Sequence, residues 1–141
     1  MPAKIIVKKA TEQADLDTVH AIRHEVFVIE QNCPPELEYE HEDVSHHFLA
    51  TVDGEPAGAC RWRKTENGYK LERFAVLKAF RGFGIGGELV KVVLADLPAD
   101  ANYVYLNSQT HAVPFYSKLG FEVSGPEFEE AGIKHYKMVR K

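Results

Sequence analysis

The sequence predicts an α+β fold, in which a mixed sheet of about six to seven strands carries about four helices on its faces. Two dipeptides typical of tight hairpins, Asp53-Gly54 and Asn67-Gly68, separate three extended runs and indicate an antiparallel meander. Beyond the meander, helical and extended periodicities alternate along the chain. An antiparallel first half followed by this alternation predicts strands of both directions in one sheet.

The first half of the chain contains a strand, a helix and the meander. Residues 4–8 are extended, and a helical stretch follows that must end at Pro34-Pro35. Its apolar positions recur at spacings of three and four, as on one helix face: Leu16, Val19, Ile22, Val26 and Phe27. The meander strands are predicted from β-branched and aromatic residues at 48–52, 57–64 and 69–77.

The second half alternates strands and helices. Residues 87–97 form an amphipathic helix, with Ile85, Leu89, Val93 and Leu97 at steps of four. A strand at 103–106 precedes a short helix at 112–119, which has Pro114 early and Gly120 just past its end. The last strands are predicted at 121–123 and 134–139, separated by a loop.

Composition narrows the functional classes. The 141 residues suit one domain, 1–141, with 45% hydrophobic and 27% charged residues. A net charge of −4 without a basic patch argues against nucleic-acid binding. No apolar run approaches the length of a membrane span, so we expect a cytoplasmic protein without membrane contact. Exposed strand edges in the tail are compatible with a homodimer.

The loop Arg81-Gly82-Phe83-Gly84-Ile85-Gly86-Gly87 is the most informative motif in the chain. Four glycines at the start of a helix free several backbone N–H groups to point at one anion. The positive end of the helix dipole and the Arg81 guanidinium favour the same negative charge. The pattern therefore predicts a phosphate-binding loop.

Four segments together resemble the GNAT N-acetyltransferase superfamily, and within it the ElaA/YjcF-like branch. They are residues 23–31, 61–63, 71–76 leading into the glycine loop, and 112–121. The resemblance covers almost the whole chain and implies the acyl-CoA N-acyltransferase fold. It also implies acetyl-CoA as cosubstrate, a primary amine on a small molecule or protein as acceptor, and no metal.

The superfamily pattern Q/R-x-x-G-x-G/A, which binds the pyrophosphate of acetyl-CoA, is matched by Arg81, Gly84 and Gly86. The resemblance further implies that the strands ending near Val76 and Asn107 diverge to admit the pantetheine arm. Backbone groups at 74–76 would pair with its amides, and one N–H would polarise the thioester carbonyl. The implied cofactor-binding residues are Phe74, Ala75, Val76, Arg81, Gly82, Phe83, Gly84, Ile85, Gly86, Gly87, Asn107 and Phe115.

Tyr116 matches the tyrosine that many members of the superfamily use as general acid toward the departing thiolate. A thiol with a pKa of about 8.5 is a tolerable leaving group, so the demand on this acid is mild. The alternative is that Tyr116 only packs against the sheet, like Phe115 and Leu119. For Asn107, a turn or capping role is the corresponding alternative to pantetheine binding.

A base is expected because a lysine-like ammonium, with a pKa near 10.4, is almost entirely protonated at neutral pH. Glu72 is the first candidate, since it lies two residues before Phe74 on the same strand. A salt bridge from Glu72 to Arg61, Arg63 or Arg73 is the competing interpretation. His111, just before the last helix, is the second candidate base and is included among the substrate-binding residues.

The acceptor pocket is predicted from the first helix, where the branch signature places Arg23, Phe27, Glu30 and Gln31. The competing interpretation keeps Phe27 in the core and the charged residues in a buried ion-pair network. The acidic segment 36–43 attracts a cationic amine or is an ordinary solvated loop. His41, His46 and His47 match no strong metal motif, so no metal site is predicted.

Three alternatives to an amine acetyltransferase remain open. The first is a nucleotide-binding module, because Gly82, Gly84 and Gly87 also satisfy the dinucleotide fingerprint G-x-G-x-x-G. Against it, the acidic residue expected about twenty positions on is absent, since Asn107 stands there. A catalytically silent acyl-CoA sensor would keep the same fold. The first-helix signature also resembles that of acyl-homoserine-lactone synthases, which share the fold.

Overall fold

The computed structural model describes residues 4–31, 44–130 and 132–140. Within these ranges the chain forms eight strands, three α-helices, one π-helix and two 3-10 turns. In chain order the elements are β1 (Ile5–Ala10), α1 (Gln13–Arg23), the π-helix (His24–Glu30), β2 (His46–Val52), β3 (Glu55–Lys64), β4 (Tyr69–Val76), a 3-10 turn (Lys78–Phe80), α2 (Ile85–Asp96), β5 (Val104–Gln109), a 3-10 turn (Thr110–Ala112), α3 (Val113–Ser117), β6 (Phe121–Val123), β7 (Phe128–Glu130) and β8 (Ile133–Arg140).

The strands form one mixed sheet in the order β1-β2-β3-β4-β5-β8-β6, with β7 also paired to β8. Only the β4–β5 pair is parallel among the described strands. The predicted mixed sheet is therefore confirmed. The strand count differs because β7, three residues long, lies in the segment expected to be a loop and joins β8 through the turn at Gly132.

The meander turns follow from the dipeptides that predicted them. Asp53 (φ 50°) and Gly54 (φ 86°) both adopt the left-handed conformation that a two-residue type I′ hairpin requires. At the second turn Gly68 has a φ of 153°, and a Cβ there would lie 2.4 Å from the carbonyl oxygen of Tyr103. Close approach to the chain before β5, as well as backbone conformation, therefore requires glycine at position 68.

Helices cover both faces of the sheet. Helix α1 packs Val19 and Ile22 against a cluster that includes Leu49, Ala59 and Ala75. On the opposite face, α2 buries its apolar residues against the larger core cluster, and these residues are Ile85, Leu89, Val90 and Val93. The step-of-four pattern in the sequence is confirmed, and the helix begins at Ile85, two residues earlier than predicted.

The predicted first helix changes its winding at residue 24. Regular α-helix ends at Arg23, and His24–Glu30 continue as a π-helix, in which the N–H of Gln31 donates to the carbonyl of Val26 at 3.1 Å. Each wider turn carries an extra residue and rotates the following side chains relative to an α-helix. The apolar spacing could not reveal this change, which determines where Phe27, Glu30 and Gln31 point.

Several predictions fall on residues outside the described ranges. They concern the helix end at Pro34-Pro35, the acidic segment 36–43 and His41. In the part of the chain that is described, no helix is both long enough and apolar enough to cross a membrane.

Candidate active site

The site is a cleft created where two parallel strands diverge. β4 and β5 pair only from Tyr69 to Leu71 and from Val104 to Leu106. Beyond these pairs each strand continues without bonding to the other, and the gap opens into a cleft of about 860 Å³. The divergence implied by the resemblance is therefore present. The lining comprises Val26, Phe27, Glu30, Gln31, Lys70, Leu71, Glu72, Arg73, Phe74, Val76, Arg81, Leu106, Asn107, Ser108, Gln109, His111, Ala112, Tyr116, Glu130, Ile133 and His135.

A β-bulge at Arg73 and Phe74 turns β4 away from β5. Ala75 pairs with Ala59 and Glu72 pairs with Arg61, so two residues of β4 face one residue of β3. Arg73 has a φ of 59°, a left-handed conformation that costs a non-glycine residue roughly 1–2 kcal/mol. Bulges of this kind redirect backbone groups next to active sites. No glycine marks this position, so the sequence does not predict where in β4 the bulge lies.

The glycine loop leads into α2 as predicted. Gly82 (φ 94°) and Gly84 (φ 83°) are left-handed, and the space where their Cβ atoms would lie is open to at least 4 Å. Gly84 caps the twelve-residue helix, so the first N–H groups of α2 lie next to this open space. Such an arrangement is suited to an anion such as pyrophosphate.

Gly86 has a different role from the other loop glycines. A Cβ at Gly86 would lie 3.0 Å from Cζ of Phe115, so the ring of Phe115 packs directly on the first turn of α2. This contact joins α3 to the glycine loop. A larger residue at position 86 would press on this ring, whereas the backbone conformation of Gly86 does not itself call for glycine.

Arg81 makes a bidentate ion pair with Glu30 from the π-helix. Nη1 and Nη2 donate to the two carboxylate oxygens, each at 2.7 Å, and Nε donates to the Val76 carbonyl at 3.0 Å. The hydrogen bond from Arg81 lowers the pKa of Glu30, and the same bond raises the pKa of Arg81. Both side chains remain about two-fifths exposed. A predicted phosphate ligand and a predicted acceptor residue thus contact each other.

Tyr116 lies at the cleft in an aromatic cluster. Its ring makes edge-on contacts with Phe74, Phe115 and Phe121 at centroid distances of 5.9, 4.9 and 6.2 Å. Burial raises the pKa of Tyr116 well above its ordinary value, and the neighbouring Cys60 adds to the effect. The hydroxyl is therefore protonated throughout the physiological range. Tyr116 therefore packs in the core and also lines the cleft, and its role as general acid stays a prediction.

Glu72 is buried in a cluster of cations. Its Oε1 accepts from Nε of Arg61 at 2.9 Å and from Nε of Arg63 at 2.7 Å, and Lys70 Nζ lies 3.3 Å from Oε2. Burial alone would raise the pKa of Glu72, but Arg61, Lys70, Arg73 and the bond from Arg63 outweigh it and lower the pKa to about 2. The salt bridge expected as an alternative is present. A carboxylate of such low pKa is a weak base.

The remaining predicted residues of the cleft lie on both of its walls. Asn107 and His111 line it from β5 and the following turn, and Phe27 and Gln31 line it from the π-helix. Gln109 Nε2 donates to Oε1 of Gln31 at 2.9 Å. This bond links the π-helix to the end of β5 across the cleft.

Other predicted residues lie outside the cleft lining. The side chain of Arg23 is fully buried, so its position supports the wall and does not suit direct contact with an acceptor. Ala75 and Ile85 belong to the two core clusters, and only their backbone groups are available to a ligand. Phe83 and Phe115 are partly exposed beside the glycine loop.

Eleven residues of the cleft lining were not predicted as site residues: Val26, Lys70, Leu71, Arg73, Leu106, Ser108, Gln109, Ala112, Glu130, Ile133 and His135. Gln109 shares a strand face with Asn107, so the period of two on β5 would have indicated it. His135 and Ile133 come from β8, which is next to β5 only because the sheet order inserts β8 there. That neighbourhood has no local signature in the sequence.

Of the histidines considered for a metal site, the structure describes His46 and His47, and these two do not share a face of the sheet. His46 and His47 are adjacent in β2, so their side chains leave opposite faces of the sheet. His46 stacks on Trp62 with 4.0 Å between ring centroids, and burial followed by the charge of Lys9 lowers its pKa. Among the residues that the structure describes, no three His, Cys, Asp or Glu side chains form a metal-binding group.

Comparison with known proteins agrees with the fold. The family model described as "Acetyltransferase (GNAT) domain" matches residues 8–141. The chain is 42% identical to the "Uncharacterized N-acetyltransferase YjcF" of Bacillus subtilis, over 97% of this chain and 99% of that protein. It is similar to the structures of an acyl-CoA N-acyltransferase from Pseudomonas aeruginosa (TM-score 0.83, 29% identity) and of ElaA from Escherichia coli (TM-score 0.79, 25% identity), each covering 99% of both chains. The chain therefore belongs to the GNAT acetyltransferase family.

Proposed function

We propose that this protein transfers an acetyl group from acetyl-CoA directly to a primary amine within a ternary complex. The observation that carries the proposal is the divergence of β4 and β5 beyond Leu71 and Leu106, next to the bulge at Arg73. It leaves the facing edges of two strands free to pair with an extended amide-containing chain, as an added strand would. The glycine loop follows β4, so an anionic group at the end of such a bound ligand would lie near this loop.

The donor side of the cleft fits acetyl-CoA. Gly82 and Gly84 leave open space in front of the N–H groups of α2, where a pyrophosphate would accept hydrogen bonds. Arg81 supplies a guanidinium next to this space, because its side chain remains partly exposed. The backbone of β4 beyond the bulge, at 74–76, offers groups for the pantetheine amides. One carbonyl, that of Val76, is already bonded to Arg81.

Acetyl-CoA supplies an acetyl group activated as a thioester, so the chain's own residues need only position it and handle protons. A backbone N–H at the bulge would polarise the thioester carbonyl, where negative charge develops in the transition state. Tyr116 holds its proton beside Phe74 and would donate a hydrogen bond to the sulfur as it leaves. Because the pKa of Tyr116 is raised above that of a thiol, Tyr116 would stabilise the thiolate by a hydrogen bond and would not give up its proton completely.

The acceptor would enter from the wall formed by the π-helix and the ends of β5 and β8. Phe27 offers an apolar surface, and Gln31 and Gln109 present amide groups that hydrogen-bond each other. These amide groups can hydrogen-bond an amine as it leaves water.

Release of free CoA thiol tests the proposal, with acetyl-CoA as donor and lysine peptide, spermidine and glucosamine as acceptors. We expect turnover with at least one amine, and an increase in Tm with acetyl-CoA but none with NAD. Propionyl-CoA and a long-chain acyl-CoA test the preference for acetyl. Stabilisation by acetyl-CoA without turnover on any amine would favour a silent acyl-CoA sensor, and stabilisation by NAD alone would contradict both.

A further inference from the structure

His135 occupies a position in the cleft level with the β4 bulge. The strands diverge after their last pair, Leu71 with Leu106. Phe74 and Gln109 each lie three residues further along their strands, about 10 Å beyond that pair. His135 on β8 is the direct partner of Gln109 and lines the same cleft. Directly opposed residues of antiparallel strands point to the same face. His135 therefore shares the face of Gln109, whose amide contacts the π-helix.

The hydrogen bonding of His135 determines which ring nitrogen is available. Nδ1 lies 2.7 Å from the carbonyl oxygen of Ile133, and a carbonyl oxygen can only accept. Nδ1 must therefore carry the hydrogen, which leaves the lone pair of the neutral ring on Nε2. The ring also stacks on Phe128, with centroids 5.8 Å apart and planes inclined by 21°. The two contacts set both the tautomer and the plane of the imidazole.

We propose that His135 is the general base that deprotonates the acceptor amine. The assignment rests on the proposed function. Nε2 takes one proton from the acceptor ammonium, the resulting amine nitrogen forms a bond to the acetyl carbon, and the carbon–sulfur bond breaks with its electron pair going to sulfur. The second proton lost by the nitrogen goes to the thiolate through solvent, and the imidazolium returns its proton to solvent, so the ammonium and acetyl-CoA give the amide, the CoA thiol and one free proton.

The other candidate bases are less suited to this step. The carboxylate of Glu72 already accepts from Arg61 and Arg63, and its low pKa leaves little affinity for a further proton. His111 lies exposed on the 3-10 turn after β5. Imidazole is the side chain whose protonation changes near neutral pH, as a base for an ammonium requires.

Charged groups of both signs lie on the elements around His135. Glu130 on β7 lines the same cleft, and Lys137 lies two residues along β8. The titratable and charged groups that line the cleft from the other surrounding elements are His111, Glu30, Arg81, Lys70, Glu72 and Arg73. The proposal therefore predicts one titration in the rate profile and leaves its midpoint to measurement.

The variant that tests the proposal is His135→Asn. Its side-chain amide retains a donor near the position of Nδ1 for the Ile133 carbonyl but has no group that accepts a proton. With an amine from the panel above, we expect kcat to fall about a hundredfold or more and the acidic limb of the kcat/KM profile to disappear. Acetyl-CoA affinity stays unchanged. His46→Asn, on a different strand and stacked on Trp62, is the matched control and keeps wild-type kinetics.

Two further measurements separate a base from a structural histidine. Hydroxylamine is already neutral at pH 7, so His135→Asn should slow acetyl transfer to it by less than about threefold. Equal losses with both nucleophiles, or loss of the acidic limb in His111→Asn instead, would overturn the assignment. Long-range ¹H–¹⁵N spectra of the protein alone should show the Nδ1–H tautomer at the signal missing from His135→Asn. An Nε2–H tautomer would overturn the assignment of His135 as the base. This measurement needs no activity, so it tests His135 even if no amine in the panel is acetylated and the proposed function fails.

Discussion

The guanidinium of Arg81 and the carboxylate of Glu30 face each other with two N–O distances of 2.7 Å. Arg81 lies at the start of the glycine loop and Glu30 at the end of the π-helix, so the pair joins the glycine-loop side of the cleft to its π-helix side. Glu30 and the Val76 carbonyl engage three of the five guanidinium N–H donors, and the carboxylate neutralises the charge that would attract a phosphate to the remaining two. Glu30 and a CoA phosphate therefore compete for Arg81.

Glu30→Gln should tighten the binding of acetyl-CoA. The amide keeps the shape of the carboxylate but loses its charge, so Arg81 becomes available to phosphate. We expect the Kd measured by isothermal titration to decrease about twofold to tenfold, a difference of roughly 0.4–1.4 kcal/mol.

Arg81→Ala is the opposing control and should weaken acetyl-CoA binding, while Glu88→Gln, an exposed acid on α2, should have little effect. If Glu30→Gln weakens binding as Arg81→Ala does, Glu30 positions the guanidinium for phosphate instead of competing with it.

Tyr116→Phe should lower turnover about tenfold to a thousandfold and leave acetyl-CoA affinity nearly unchanged. The substitution removes the hydroxyl but keeps the ring contacts with Phe74, Phe115 and Phe121. Because burial raises the pKa of Tyr116, the wild type should show no loss of kcat from this group below about pH 10. Steady-state kinetics across pH check both statements.

Tyr105→Phe is the matched control for the hydroxyl, because Tyr105 bonds Thr65 at 2.8 Å and lies outside the cleft lining. It should retain wild-type turnover. Unchanged turnover in Tyr116→Phe would remove Tyr116 from the mechanism and leave it a packing residue.

Glu72 should make stability depend on acid pH. Its pKa is lowered from 4.5 to about 2 in the folded protein, so the unfolded chain binds the proton more tightly. The stabilisation is fully present above pH 4.5 and is lost as the pH falls toward 2. By linkage it amounts to about 3 kcal/mol. Urea unfolding of the wild type and of Glu72→Gln measures it.

At neutral pH Glu72→Gln should cost about 3–5 kcal/mol, because it leaves the buried Arg61 and its neighbours without their counter-charge. The difference from the wild type should shrink by about 3 kcal/mol between pH 7 and pH 2. A difference that stays constant over this range would show that the carboxylate charge is not the source of the stability.

Gly58→Ala should destabilise the protein by about 1–3 kcal/mol through overpacking. A Cβ at Gly58 would lie 2.9 Å from the carbonyl oxygen of Ala75 and 3.0 Å from Cγ2 of Ile85, so β4 or α2 must move. Thermal or urea unfolding measures the change.

Gly87→Ala is the matched control, because a Cβ there has open space and the residue is helical. It should be neutral or stabilise the protein by up to about 1 kcal/mol. Equal destabilisation by both substitutions would contradict a contact specific to Gly58.

The sequence by itself determined those features that depend on short-range patterns. Strand-forming residue types located the meander strands, a step of four located α2, and Asp53-Gly54 specified the first meander turn, because propensities, periods and turn conformations are properties of neighbouring residues. The spacing of Arg81, Gly84 and Gly86 likewise indicated the anion loop and, through the resemblance, the family.

Only the tertiary structure decided which distant groups meet. The bulge at Arg73 arises from the register of β4 against β3, and no residue type at that position indicates it. Glu72 became an ion-pair partner because β3 places two arginines opposite it, and Glu30 reached Arg81 because the π-helix rotated it there. His135 enters the cleft because β8 lies beside β5. Strand order, register and helix winding are set by the whole core, whereas sequence patterns report only local periods.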